Sequence, residues 1–104
     1  MKIKTSELVG AQLDWAVAKC EHPEWTESMG PANAAHVSHY STGWAQGGLI
    51  IERELITLSD ANGSWVAGYR GTLNCFGPTP LSAAMRCYVA SKLGHEVEIP
   101  DELI

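Results

Sequence analysis

Apolar residues recur at helical spacing in three stretches of the chain, and each stretch predicts a helix. The first helix follows a hydroxyl cap at Thr5 or Ser6. It ends near Cys20 or Glu21, because the residue before Pro23 avoids the helical region. Its predicted buried face consists of Leu8, Val9, Leu13, Ala16, Val17 and Cys20.

The second and third helices are predicted from their caps as well as from their spacing. A hydroxyl of Ser41 or Thr42 is expected to cap the second helix. Its predicted buried face consists of Trp44, Gly48, Ile51 and Leu55. The third helix has Thr79 as its cap, Pro80 at its first position and Gly94 as a left-handed terminator. Its predicted buried face consists of Leu81, Ala84, Met85, Tyr88 and Val89.

Apolar residues alternate on either side of Asn62-Gly63, the strongest short signal for a hairpin turn. The hairpin is expected over about residues 56–70, and residues 71–78 are expected to return across the surface. MKIK at the start and Val97 and Ile99 near the end could add edge strands. The prediction is an α+β fold in which a small antiparallel sheet is covered by three helices in a sandwich-like arrangement.

The length of 104 residues predicts one domain over 1–104, and a homo-oligomer would add stability to so short a chain. Residues 21–38 carry two prolines and no sustained periodicity, which predicts a loop that is long for this size. A short strand could form at residues 35–40. Trp25 and Met29 are expected to hold the loop against the body of the protein.

The net charge of −5 and the isolated Lys and Arg residues argue against binding to duplex nucleic acid. We find neither a secretory signal nor a membrane span, so a cytoplasmic protein is expected. Cys20, Cys75 and Cys87 make an odd count without CxxC spacing, which favours reduced thiols over a disulfide framework or a zinc site.

The common catalytic and nucleotide-binding motifs are absent, and only three weaker arrangements are present. His36 and His39 could share a metal, but the segment looks extended and a third ligand is missing. His39 beside Ser41 lacks an acid to orient the ring. Cys87 next to Arg86 could be an activated thiol, although its place beside the apolar stripe favours packing. We therefore expect no enzyme, no metal and no cofactor.

Ligand binding is better supported by HYSTGWAQGG, residues 39–48, and by the start of the third helix. Free amides at helix N-termini attract phosphate or carboxylate, and aromatic and amide groups suit a base or ribose. Trp44 and Gly48 are expected to face inward, whereas Tyr40, Ser41, Thr42 and Gln46 are expected to be exposed. Arg86 or Arg70 could supply a countercharge, and ordinary helix packing remains the alternative. The candidate ligand residues are His39, Tyr40, Ser41, Thr42, Trp44, Gln46, Gly47, Thr79 and Arg86.

The stretches HYSTGWAQGGLIIERE and GPTPLSAAMRCYVASKLGHEVEIPDEL resemble the NinX-like family of small phage and prophage proteins. The opening MKIKTSELVGAQLDWAVAK is similar to the start of that family. A looser likeness extends to phage ABA sandwich domains, although Gly43 stands where an acid or Asn is expected. The resemblance implies an accessory protein of a tailed phage that acts inside a bacterium.

Two functions follow as hypotheses. The first is a non-enzymatic binding module that captures a small nucleotide-like ligand, such as a bacterial anti-phage defence signal. The second is an interaction factor that binds a host or phage protein through an apolar and acidic surface, with Trp25 as the residue to test. A small enzyme ranks last.

Overall fold

The structure, a computed structural model, describes residues 1–24 and 38–104. The predicted α+β class is confirmed there. Within these two ranges the three α-helices are α1 (Gly10–Glu21), α2 (Trp44–Glu54) and α3 (Pro80–Leu93). The strands are β1 (Lys2–Lys4), β2 (Ile56–Ala61), β3 (Ser64–Tyr69), β4 (Leu73–Gly77) and β5 (Glu96–Glu98). Most of the predicted loop, with Trp25, Met29, His36 and half of the short strand expected at residues 35–40, lies outside the described residues.

Three strands form an antiparallel sheet in the order β2-β3-β4. The predicted hairpin is confirmed, and Asn62 and Gly63 turn it with φ angles of 50° and 92°. The expectation of a surface return over 71–78 was wrong, because β4 pairs with β3 from Tyr69↔Leu73 to Trp65↔Gly77. In this position the backbone groups of residues 73–77 form hydrogen bonds within the sheet.

The two ends of the chain form a second sheet, in which β1 pairs antiparallel with β5 through Ile3↔Val97. The edge strands were thus predicted, but they pair with each other rather than with the hairpin. Thr5 continues this contact through two hydrogen bonds. Its amide donates to the carbonyl of His95 at 2.8 Å, and its hydroxyl donates to the carbonyl of Gly94 at 2.6 Å. Thr5 belongs to a short 3-10 turn (Thr5–Glu7) rather than capping α1.

Helix α1 starts at Gly10 without a side-chain cap, so the predicted cap at Thr5 or Ser6 was wrong. Its end at Glu21 is confirmed. The side chains of Leu8, Leu13, Ala16 and Val17 are buried as predicted, whereas Val9 is 54% exposed.

Helix α3 runs through the centre of the protein, and every residue from Leu81 to Val89 is buried. The strands β3 and β4 pack on one side of it and α1 packs on another. The predicted start is confirmed: the Thr79 hydroxyl accepts from the Ser82 amide, and the Ser82 hydroxyl accepts from the Thr79 amide. The helix ends at Gly94, whose φ is positive at 86° but whose ψ of −161° is not that of a left-handed helix.

Helix α2 starts one to two residues later than predicted, after Gly43, and neither Ser41 nor Thr42 caps it. Its buried positions are Gly47 and Ile50, each one residue before the predicted Gly48 and Ile51. One residue corresponds to about 100° of rotation around a helix. Trp44 and Leu55, expected inside, are therefore 56% and 70% exposed.

A close contact at Gly47 determines this rotation. A Cβ at Gly47 would overlap the carbonyl oxygen of Tyr40 and come within 2.6 Å of Leu81 Cδ2. A Cβ at Gly48 would meet only the Trp44 ring, at 3.7 Å. Gly47 is thus the position at which α2 approaches the start of α3.

A polar network joins α1, α2 and α3 at one edge of the core. The Arg53 guanidinium donates to both carboxylate oxygens of Glu21, at 3.0 and 2.7 Å, and to the Tyr88 hydroxyl. Tyr88 donates in turn to Glu21. The hydrogen bonds from Arg53 lower the pKa of Glu21 most, and the hydrogen bond from Tyr88 lowers it further. Partial burial acts in the opposite direction, and the pKa stays below its ordinary value.

We predict that Gly47→Ala lowers the free energy of unfolding by about 1–3 kcal/mol, because the new methyl group meets a backbone carbonyl. Gly48→Ala is the matched control. It should be neutral or stabilising by up to about 1 kcal/mol, since alanine favours a helix and the site is open. Urea unfolding followed by circular dichroism measures both. Equal effects at the two positions would contradict the assigned rotation of α2.

We predict that Glu21→Gln lowers the free energy of unfolding by about 1–2 kcal/mol at pH 7, because it removes a charged hydrogen-bond acceptor. A depressed carboxyl pKa contributes stability above the unfolded-state pKa and loses it as the pH falls through the folded-state pKa. The difference in the free energy of unfolding between wild type and Glu21→Gln should therefore shrink below about pH 4.5. Urea unfolding between pH 7 and 3 tests this. The exposed Glu7→Gln is the control, and a pH-independent difference for Glu21→Gln would refute the assignment.

Candidate functional site

A cavity of about 580 Å³ lies between β4 and the paired ends of the chain. One wall is formed by residues 73–78 and the other by residues 4–6 and 95–96. Ser64, Arg86 and Ala90 complete the lining. Small-molecule sites in proteins commonly have volumes of about 300–1,000 Å³, so this cavity has room for such a ligand.

Arg86 supplies a fixed positive charge to this cavity. The residue is only 8% exposed, and its Nε donates to the Leu8 carbonyl and its Nη1 to the Phe76 carbonyl, both at 2.9 Å. No carboxylate of the described ranges forms an ion pair with it. Burial lowers its pKa, but an arginine still remains charged at neutral pH. The guanidinium therefore keeps both its charge and further N–H donors.

Other side chains around the cavity add charge and an aromatic surface. Lys4 and His95 are exposed on the wall formed by the chain ends, together with the acid Glu96. On β4, Asn74 is exposed and the Phe76 ring is 60% exposed. The cavity thus combines cationic groups, an amide and an aromatic ring, which are suitable for an anionic ligand with a planar part.

Two thiols lie beside Arg86, Cys75 on β4 and Cys87 on α3. Cys87 is fully buried, as predicted, whereas Cys75 is half-buried and lines the cavity. A hydrogen bond from Cys87 lowers the pKa of Cys75 against the effect of burial, and the Arg86 charge adds to the lowering. The same contact and burial raise the pKa of Cys87. The sequence favoured packing over an activated thiol at Cys87, and the thiol whose pKa is lowered is Cys75.

The predicted ligand residues lie in two places. Arg86 lines the cavity, whereas His39 to Gly47 form the turn and first helical turn of α2. Thr79 caps α3. The packing of Gly47 against Leu81 brings the starts of α2 and α3 together. Neither residues 39–47 nor Thr79 line the cavity, although Pro78 does.

The burial predicted for residues 40–48 was partly wrong. Thr42 and Gln46 are exposed as expected, but Tyr40 and Ser41 are buried. The Ser41 amide donates to Asp14 Oδ1 at 2.8 Å, which draws this turn onto α1. Burial raises the pKa of Tyr40.

The acid missing from the sequence hypothesis for His39 and Ser41 is Asp14. Its Oδ2 lies 3.8 Å from Nδ1 of His39, whose ring is exposed. The Ser41 hydroxyl, however, is buried, and the described residues offer it no hydrogen-bond partner. A substrate could not reach this hydroxyl, so the arrangement does not work as a nucleophile with its base.

Sequence reasoning found only Arg86 among the residues that line the cavity. The polar and aromatic lining residues that it missed include Lys4, Asn74, Cys75, Phe76 and His95. One signal for the strand was present, because Leu73 and Cys75 alternate with Asn74 and Phe76 in LNCFG. Across the described ranges we find no group of three or more His, Cys, Asp or Glu residues that could hold a metal ion. Nor does any helix described have the length and apolar character to cross a membrane.

The architecture defines a small α+β protein with one central helix between a three-stranded sheet and a second helix. The family described as Bacteriophage P22, NinX matches residues 4–92, which is most of the chain. The protein therefore belongs to this phage family, and the resemblance seen in the sequence is confirmed. No curated protein matches the chain.

Proposed function

We propose that this phage protein is a non-enzymatic binding module whose cavity beside Arg86 captures a small anionic, nucleotide-like ligand. Membership of a phage family is consistent with an accessory role in the bacterial host. A ligand of this kind could be a nucleotide signal of host defence. The location of the site differs from the sequence hypothesis, since residues 39–47 lie outside the cavity lining.

The observation that carries the proposal is the buried guanidinium of Arg86. Its two hydrogen bonds go to neutral carbonyls, so its charge is oriented without being paired with a carboxylate of the described residues. A guanidinium has donors beyond these two, and phosphate and carboxylate match their planar fork. Lys4 stands on the opposite wall, where its ammonium group would add attraction for an anion.

The remainder of the cavity supports the nucleotide-like part of the proposal. The exposed ring of Phe76 offers a face on which a base could stack, and such stacking contributes about 1–3 kcal/mol in other proteins. The Asn74 amide can both donate and accept hydrogen bonds at a base edge. These groups lie near one another on β4 because alternate residues share one face of a strand.

The first test is native mass spectrometry of protein purified gently from its bacterial host, followed by denaturation of the same sample. We expect a bound mass in the range of nucleotides that is released on denaturation. The same spectrum gives the oligomeric state. Calorimetry with cyclic and ADP-ribose-type nucleotides is the second test, and absence of both a bound mass and binding heat would overturn the proposal.

We predict that Lys4→Ala and Phe76→Ala each weaken nucleotide binding by about tenfold, because each removes a cavity group without cutting into the core. Lys2→Ala is the matched control, since Lys2 is exposed on the same strand two residues away and does not line the cavity. Isothermal titration calorimetry measures all three variants. Equal losses for Lys2→Ala and Lys4→Ala would indicate a general charge effect and would contradict a site in this cavity.

A second candidate function is binding to a host or phage protein, and exposed apolar residues on α2 favour it. Trp44 is the first residue of α2, and Leu55 directly follows its last residue. Both are largely exposed, as is Leu49. Tryptophan is enriched among the residues that contribute most to protein interfaces.

If this second function holds, Trp44→Ala should reduce the recovery of a specific partner from phage-infected host lysate by at least about tenfold. Val9→Ala is the control, because Val9 is a comparably exposed apolar residue that lies outside α2. Quantitative mass spectrometry of the captured proteins measures the change. Identical sets of captured proteins for wild type and Trp44→Ala would exclude this face as the interface.

A further inference from the structure

Cys75 and Cys87 meet where β4 packs onto α3. The Cys87 sulfur lies 3.6 Å from the carbonyl oxygen of Ala67 and 3.8 Å from that of Leu73. Ala67 is the cross-strand partner of Cys75, and Leu73 precedes it by two residues. The buried Cys87 thiol is therefore packed against the segment that carries Cys75. The two thiols are close enough for each to shift the pKa of the other.

The two thiols have different access to solvent. Cys75 is half-buried and lines the cavity, so a small molecule that enters the cavity can reach it. Cys87 is fully buried behind it. An attacking thiol must be accessible, whereas a second thiol that completes a disulfide needs only to be adjacent to the first.

The two thiols also differ in ionisation. The contact with Cys87 and the Arg86 charge lower the pKa of Cys75 and favour its thiolate. The contact with Cys75, and then burial, raise the pKa of Cys87 and disfavour its thiolate. A close pair of this kind holds one negative charge before it holds two. The thiolate is the nucleophilic form of cysteine, so the accessible member of the pair is also the reactive one.

We propose that Cys75 and Cys87 form an oxidation site in which Cys75 reacts with a small peroxide in the cavity and Cys87 completes a disulfide. The Cys75 thiolate attacks one oxygen of hydrogen peroxide, the O–O bond breaks, and hydroxide leaves and takes up a proton as water. Cys75 then carries a sulfenic acid. The Cys87 sulfur attacks the Cys75 sulfur, the S–O bond breaks, and a second water leaves. The two thiols supply the two electrons that reduce the peroxide.

The disulfide would join β4 covalently to α3 and remove the thiolate from beside Arg86. The cavity wall would then be tied to the central helix and would carry one negative charge fewer. This inference goes beyond the proposed function and does not depend on it, because it requires a peroxide rather than a nucleotide.

The experiment treats the full-length folded protein with a small excess of hydrogen peroxide, alkylates the remaining thiols and maps tryptic peptides by mass. Trypsin places the three cysteines in separate peptides, since cleavage follows Lys19, Arg70 and Arg86. We expect a mass loss of about 2 Da and a linked pair of peptides that contain Cys75 and Cys87. Cys20 should stay reduced, because burial raises its pKa to about 12.

Variants separate the two steps. Cys87→Ser should stop at a sulfenic acid on Cys75 that dimedone traps, and Cys75→Ser should give no disulfide. Cys20→Ser is the control and should match the wild type. At pH 7, iodoacetamide should label Cys75 at least roughly ten times faster than Cys20 in folded protein, and urea should abolish this difference.

Peptide mapping of the wild-type protein decides the proposal even if a variant fails to fold. A disulfide between Cys75 and Cys87 together with unmodified Cys20 supports it. Oxidation mainly at Cys20, a disulfide between molecules, or a Cys75 sulfenic acid that persists in the presence of Cys87 would overturn it.

Discussion

The buried guanidinium of Arg86 is the interaction on which the arrangement of the two sheets depends. Its two acceptors, the carbonyls of Leu8 and Phe76, belong to segments that do not pair with each other. One carbonyl follows the 3-10 turn after β1, and the other lies in β4. Because a buried cation is costly without hydrogen bonds, both segments are held at a fixed distance from α3. The cavity is the space that this spacing leaves between β4 and the paired chain ends.

Small residues make this arrangement possible, because they let α3 be surrounded on all sides. A Cβ on Gly77 would lie 2.6 Å from the Ala83 amide nitrogen, so the end of β4 touches the backbone of the helix. A helix buried over its whole circumference has no solvent-facing side for a cation. Arg86 must therefore find its partners inside the protein, and backbone carbonyls are the neutral acceptors at hand. The amino terminus holds β1 against the end of β5 through its contacts with Glu98 and the Ile99 carbonyl.

Local chemistry in the sequence was sufficient to predict the hairpin and α3. Asn62-Gly63 allows the positive φ angles of the turn, and Thr79-Pro80 determines the start of the helix within two residues. The rotation of α2 could not be predicted in this way. Trp44 looked like a core residue by its spacing, but the contact of Gly47 with the Tyr40 carbonyl decides which side faces inward. Burial patterns assume that the largest apolar residue lies inside, and a close backbone approach overrides that assumption.

The residues of the candidate cavity were even harder to predict from the sequence than the rotation of α2. Only Arg86 among its charged residues was a candidate from the sequence, because Lys4 and His95 come from opposite ends of the chain. The contact that brings these ends together joins Thr5 and Gly94, which are separated by 89 positions. No spacing rule connects residues so far apart, and the β1–β5 pairing is short enough to lack a pattern of its own.

The Cys75 thiolate and the proposed anionic ligand would both be stabilised by the charge of the Arg86 guanidinium. The thiolate of Cys75 is favoured by the same Arg86 charge that the proposed ligand would use. Like charges that share a site disfavour each other, so an anion bound beside Arg86 would shift Cys75 towards the neutral thiol. Conversely, a neutral disulfide at Cys75 would leave the guanidinium with less negative charge nearby. Ligand binding and thiol chemistry at this cavity would then be linked through a single buried cation, and neither would require a movement of the backbone.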